Sequence, residues 1–248
     1  MPVWTPSPTD RALAGKLGAA SAFLELDGSW IHTVGPTEPG RSPVLDLVQA
    51  VWELAPRTAH LTLRRRIRTT DPVTPTDRAI ADVAAKRVVH VQGFPAENPP
   101  SCVDVGAYAA RARDTAKLAT VDPGETLVPR DILGWIASLV PNGADLPLAR
   151  RDRPVVAVLA DPSGRVLAAA RNAGGLNRSL HAEVCLVQGF GTLPAGSTVF
   201  TSLQPCRMCA AILVDASAGP IFVRWLHPDP GKLASRTVLQ ARGWEGPL

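Results

Sequence analysis

At 248 residues the chain can hold one large domain or two of ordinary size, and 46% hydrophobic with 19% charged content is that of a globular protein with a core. A net charge of +4 and a pI near 9.2 fit a nucleic-acid partner, and equally an arginine-favouring composition. No apolar run is long enough to cross a bilayer, the first residues show no basic and apolar leader, and four cysteines in so long a chain do not make a disulfide scaffold. The expectation is a soluble, cytoplasmic protein with no membrane partner, in which Cys-x-x-Cys means metal or redox chemistry.

In chain order, a short helix is predicted over 10–22, opened by Asp10 as cap. Strands over 22–26 and 30–34 flank Asp27-Gly28-Ser29, a hairpin signal. A Pro/Gly loop leads to a helix over 44–54, a strand over 60–68, a helix over 76–85, a strand over 88–91 and a helix over 105–118. Residues 121–125, with Pro123 and Gly124, are the best linker. Then follow a helix over 131–140, strands over 155–159 and 166–170 around Asp161-Pro162-Ser163-Gly164, and a helix over 181–190. A strand over 198–202, a helix opened by Pro205, a strand over 221–225 and a helix over 232–241 complete the chain.

Each half therefore reads helix, hairpin, helix, strand, helix, strand, helix, which makes an internal repeat the organising expectation. Arg41-Ser42-Pro43-Val44 falls where the second half has Arg178-Ser179-Leu180-His181, and Thr70-Asp71-Pro72-Val73 where it has Leu203-Gln204-Pro205-Cys206. On that register Val44 replaces a His, and Val73 and Thr76 stand where the second half has Cys206 and Cys209. The expected domains are 1–125, without chemistry of its own, and 126–248.

The chemistry lies in the second half. A catalytic Zn²⁺ takes three protein ligands and keeps one position for water. His181, Cys206 and Cys209 can be those three, since residues three apart on the first turn of a helix bring both sulfurs to one ion. Two thiolates and an imidazole bring the net charge of the metal near zero and leave it able to acidify a bound water. Glu183, two residues from His181, is spare as a ligand and placed to take a proton from that water and pass it to a substrate. Cys185, one turn beyond His181, is either a packing thiol or the fourth ligand that a structural zinc would want. A redox role for Cys206 and Cys209 is the remaining alternative.

His181-Ala182-Glu183 followed by Pro205-Cys206-Arg207-Met208-Cys209 resembles the signature of the zinc nucleobase deaminases, in the cytidine deaminase-like superfamily. Over about 126–248 the chain looks most like the tRNA adenosine deaminase and bacterial nucleic-acid deaminase branch, with Gln204 standing where that branch usually has Glu. The resemblance implies an α/β, three-layer α-β-α deaminase fold with a central mixed five-stranded sheet, preceded here by a degenerate deaminase-like N-terminal α/β domain. It implies Zn²⁺ as cofactor and hydrolytic release of ammonia from adenine or cytosine, with RNA or single-stranded DNA as partner and RNA favoured.

Asn172 stands where the family places an Asn that bonds the base or ribose, although Asn and Gly are also ordinary loop formers there. Ala182 and Trp225 join it as substrate contacts, with a core position for Trp225 equally open. Arg64, Arg66 and Arg68 share one face of the strand expected over 60–68, and with Arg151 they are candidate phosphate contacts; charges guarding a sheet edge are the alternative. Family members often dimerise, so a homodimer is an expectation beside a fused pseudo-dimer. Deamination of free nucleosides, nucleotides or bases, a deaminase toxin, and a non-catalytic zinc-stabilised binding module are the other functional readings.

Overall fold

A computed structural model of the chain describes residues 4–35, 40–121, 155–173 and 177–229, with single positions at 132, 134–136, 175, 238, 239 and 243. Asp27 and Gly28 both take positive φ, 48° and 82°, as a two-residue primed turn requires. They join β1 (Ser21–Leu26) to β2 (Ser29–Val34), paired antiparallel from Ser21↔Val34 to Leu26↔Ser29. Before the hairpin, α1 (Pro8–Leu17) is closed by a reciprocal capping box: Ser7 accepts from the Asp10 backbone, and Asp10 accepts from that of Ser7. Asp10 is thus the third helical residue, and the helix begins earlier than expected. After the hairpin come α2 (Pro43–Leu54), α3 (Ala59–Thr62), β3 (Arg66–Thr69), α4 (Pro75–Ala84), β4 (Arg87–His90), β5 (Cys102–Asp104) and α5 (Gly106–Leu118). The strands form a mixed sheet in the order β4-β3-β1-β2-β5.

The strand expected over 60–68 is corrected: its first part is α3. Ala59, Thr62 and Leu63 are buried at helical spacing while Leu61 is 52% exposed, and Thr62 and Leu63 donate to the carbonyls four residues back. Only 66–69 are extended. Arg64 is therefore an exposed turn residue and does not share a strand face with Arg66 and Arg68.

The second half repeats the plan. Its elements are β6 (Thr120–Val121), β7 (Val156–Ala160), β8 (Val166–Arg171), α6 (Ala182–Phe190), β9 (Thr198–Leu203), α7 (Arg207–Asp215) and β10 (Phe222–His227), and the sheet order is β10-β9-β7-β8-β6. In both sheets the hairpin is antiparallel, its first strand pairs antiparallel with the next strand, and the last pair is parallel. The fifth strands differ: β5 runs parallel to β2, whereas β6 runs antiparallel to β8. Of the helix expected over 131–140, residues 132 and 134–136 are described and helical, with Ile132 and Ile136 fully buried. Of that expected over 232–241, only 238 and 239 are described, also helical. The division at 125/126, most of the linker and Arg151 lie outside the described residues.

Alternation along the strands sends each sheet's two faces into different layers. Ala22, Leu24, Ile31 and Ile67 of the first sheet, and Ala157, Leu159, Ala168 and Val199 of the second, enter one shared core with α2, α5, α6 and α7. Phe23 and Trp30 face outward to Leu13 and Ala14 of α1, while Val156, Val158 and Phe200 face outward to Ile132 and Ile136. The helices between the sheets meet closely, α4 on α7 and α5 on α6. A Cβ on Gly40 would stand 2.4 Å from Val187 Cγ1, so glycine sets the approach of the halves there, and one on Gly189 would stand 2.3 Å from Thr120 Oγ1, so glycine also lets β6 lie against α6. Among the described residues no helix is long and apolar enough to cross a membrane.

Candidate metal centre and active site

The ligand side chains sit at helix starts, where the backbone leaves N–H groups without partners. His181 is the N-cap of α6 and Cys206 the N-cap of α7, with Cys209 at its third position. Cys206 Sγ accepts from Cys209 N at 3.5 Å, so the ligand sulfur also caps its helix. Pro205 precedes the cap and is not itself the first helical residue. Cys206 Sγ lies 3.4 Å from Cys209 Sγ and 3.6 Å from His181 Nδ1, and Cys209 Sγ lies 3.3 Å from that nitrogen. Donors bound tetrahedrally to zinc at about 2.0–2.3 Å stand about 3.3–3.8 Å apart, so the three atoms fit one ion. Cys185 is not in this group. It is fully buried, its Sγ facing the Leu180 carbonyl at 3.6 Å, which makes it a packing thiol.

The electrostatics call for a cation. Glu183, 3% exposed, lies in the first turn of α6, and burial raises its carboxyl above the ordinary range, with the Cys206 charge adding to the effect. Cys206 is lowered well below the usual thiol range, first by the S–H of Cys209 and also by His181. Cys209 is raised by burial and by the neighbouring Cys206 and Glu183. Three acids thus share one water-poor site, and a divalent ion is the partner that lets all of them ionise.

The remaining candidates are placed as follows. Asn172 directly follows β8, and its Oδ1 accepts from Ala182 N, the first helical N–H of α6, at 2.7 Å. It therefore joins the strand to the helix that carries Glu183. Ala182 is fully buried between His181 and Glu183. Trp225, on β10 opposite Thr201, is half-buried against the shared core. Arg68 is paired with Asp10 at 2.6 Å and lies over the Trp30 ring, so it fastens β3 to α1. Arg66 lies over the Trp4 ring at 4.3 Å.

Two residues make contacts that the sequence did not foretell. Gln204, 2% exposed, takes the His227 carbonyl on its backbone N–H and accepts from Asp229 N, clasping the ends of β9 and β10. Asn177, in the loop that delivers His181, donates to Glu53 Oε1 at 3.0 Å and to the Gln49 carbonyl at 3.3 Å, both on α2. The first half thus braces the loop. Its own helix starts shift the expected correspondence. Counted from the caps, Ser42 takes the place of His181, Val44 that of Glu183, and Thr74 and Asp77 those of Cys206 and Cys209. Thr74 and Asp77 form a capping box where the second half has its thiols. The offset arises because α2 starts one residue after its serine, whereas α6 starts two residues later along the paired sequence.

Residues 147–247 match the family model of the Bd3614-like deaminases. The chain is also 29% identical over 129 residues to the tRNA(Ile)-lysidine synthase of Deinococcus deserti, a match covering 46% of this chain and 24% of that protein. The chain therefore spans about a quarter of the length of that curated relative. The three ligands and their carboxylate thus fall within the stretch, 147–247, that is similar to the Bd3614-like deaminases, a family of the cytidine deaminase-like superfamily.

Proposed function

We propose that the chain is a zinc-dependent hydrolytic nucleobase deaminase acting on nucleic acid, with RNA favoured, in a reducing cytoplasm that keeps its thiols available. The observation that carries this reading is a buried carboxyl, Glu183, within hydrogen-bonding reach of Cys209 and beside three ligands that fit one ion. A structural metal site has no use for such a group, and Cys185 stands apart from the ligands. His181, Cys206 and Cys209 would hold the zinc, which when bound supplies Lewis acidity that brings the pKa of a water ligand to about 7.

Glu183 then moves protons. It takes one from the attacking water as the C–O bond forms at the amino-bearing carbon, adenine C6 or cytosine C4. It delivers that proton to the adjacent ring nitrogen, then takes the proton of the newly attached hydroxyl and passes it to the amino group, so that the carbonyl forms, the C–N bond breaks and ammonia leaves. The Glu183 environment, poor in water, keeps its proton affinity high enough for both tasks. Asn172 and Ala182 frame the base, and Trp225 offers an aromatic face beside them. The family match supports the chemistry; the basic charge, and a relative whose name refers to tRNA(Ile), support RNA as the polymer.

Residues 1–125 are read as a deaminase-like repeat without a site, supported by the shared strand order and by capping residues at the ligand positions. The test is Glu183→Ala on the zinc-loaded chain, assayed on RNA, single-stranded DNA and free nucleosides for A-to-I and C-to-U change. Zinc is expected to stay and deamination to fall roughly 10²–10⁴-fold. Full activity in that variant would overturn the mechanism.

A further inference from the structure

The half that holds no ligands carries a basic cleft. It has a volume of about 920 Å³, at the upper end of the range of about 300–1,000 Å³ usual for ligand sites. Arg66 from β3, Arg78 from α4, and Lys86 with Arg87 at the start of β4 line it, with Trp4 on one wall and Asp82 as the acid among them. Asp82 is already engaged by Arg207 of α7. Among the described residues no carboxylate pairs with Arg66, Arg78, Lys86 or Arg87. The Nε of Arg66 is buried without a hydrogen-bond partner. Its guanidinium lies over Trp4, and burial followed by repulsion from Arg87 and Arg68 lowers its pKa.

Charges that guard an edge strand would account for Arg87 on β4, which ends the first sheet, and for Lys86 just before it. They do not account for Arg78, on a helix, or for Arg66, held under an aromatic ring within the cleft. A free nucleotide would call for cations converging on one anion. Here four cations from three elements line one cleft, a supply of positive charge that suits a run of phosphates. One wall of the cleft adjoins the second half: Asp82 is paired with Arg207, the residue next to Cys206.

We infer that this cleft binds the sugar–phosphate backbone of single-stranded RNA whose target base enters the ligand group, so that the site-less half serves as the substrate-gripping half. The inference rests on the nucleic-acid deaminase reading above. It makes the first half a binding surface, using residues other than those expected from the strand pattern, Arg66 excepted.

The test is fluorescence anisotropy of a fluorescein-labelled, mixed-sequence single-stranded oligoribonucleotide, titrated with the full zinc-loaded chain across a salt series. The variant R78E/K86E/R87E is compared with R57E/R111E/K117E, which changes net charge equally at exposed positions outside the cleft. The cleft variant is expected to bind roughly tenfold more weakly or worse. Its slope of log affinity against log salt should be shallower by about two, from about 0.7 per lost phosphate contact on a single strand. The control should keep most of its affinity and slope.

Zinc content and thermal unfolding certify the fold of each variant. If the charge reversals fail there, R78Q/R87Q replaces them, with about one unit of slope expected. Equal losses in both variants, or an unchanged slope in the cleft variant, would overturn the inference, as would poly-glutamate competing as well as RNA at equal charge. Binding is read without turnover, so a chain that binds through the cleft yet deaminates nothing sinks the deaminase reading alone.

Discussion

The four thiols of this chain differ by environment alone, and that difference can be measured. Cys102 is half-buried, and burial pushes it up to about 11; Cys185 is pushed up to about 12 by the core around it. Near pH 8 a thiol of pKa about 11 is only about a thousandth thiolate, and that fraction grows tenfold per pH unit. The zinc-loaded chain is therefore expected to react slowly with iodoacetamide, and adding a chelator should expose Cys206, whose thiol is held low, to fast labelling. Peptide mapping that finds Cys185 labelled first would refute this placement. These residues were legible because metal chemistry admits few residue types at few spacings. Gln204 and Asn177 were not, because their partners lie 25 and 124 residues away, respectively, and neither side chain has a local pattern.

Among the elements, those with strong local chemistry were readable: the Asp27-Gly28 hairpin, the amphipathic helices, and the strands whose faces enter two layers. The failures have physical causes. In α3 a single turn carries too little periodicity to be told from alternation, and β5 and β6 are three and two residues that exist only through their neighbours. The loop from Asn172 to His181 is the element on which the site depends. Ser179 Oγ donates to Asn177 Oδ1 at 2.6 Å, and both residues are buried. Asn177→Ala leaves Ser179 and Glu53 without that partner, which costs about 1–3 kcal/mol. A lower denaturation midpoint is expected together with weaker zinc retention against a chelator; unchanged zinc retention would show that the brace is merely structural.

On the scale of the whole molecule the two sheets enclose one core, and α2, α4 and α5 cover faces of the second half. Leu186 and Ile212 are fully buried in that shared layer. A fragment of residues 126–248 therefore uncovers apolar surface and is expected to aggregate or to lack fixed tertiary structure, while the whole chain unfolds in one transition. Near-ultraviolet circular dichroism and sedimentation decide this; a monomeric, zinc-binding fragment with native signals would contradict it. The repeated plan was visible in the order of elements, but the offset at the helix starts was not, because only the caps fix where each helix begins.

β6 adds a different kind of consequence. Thr120 and Val121 pair with Ala170 and Ala169, closing the free edge of β8 with a strand that precedes the deaminase-family match at 147. Portability is therefore limited by hydrogen bonding as well as by homology. A catalytic segment moved onto another carrier must bring an edge strand with it. Without one, β8 presents its open backbone to the next copy and invites strand exchange between molecules.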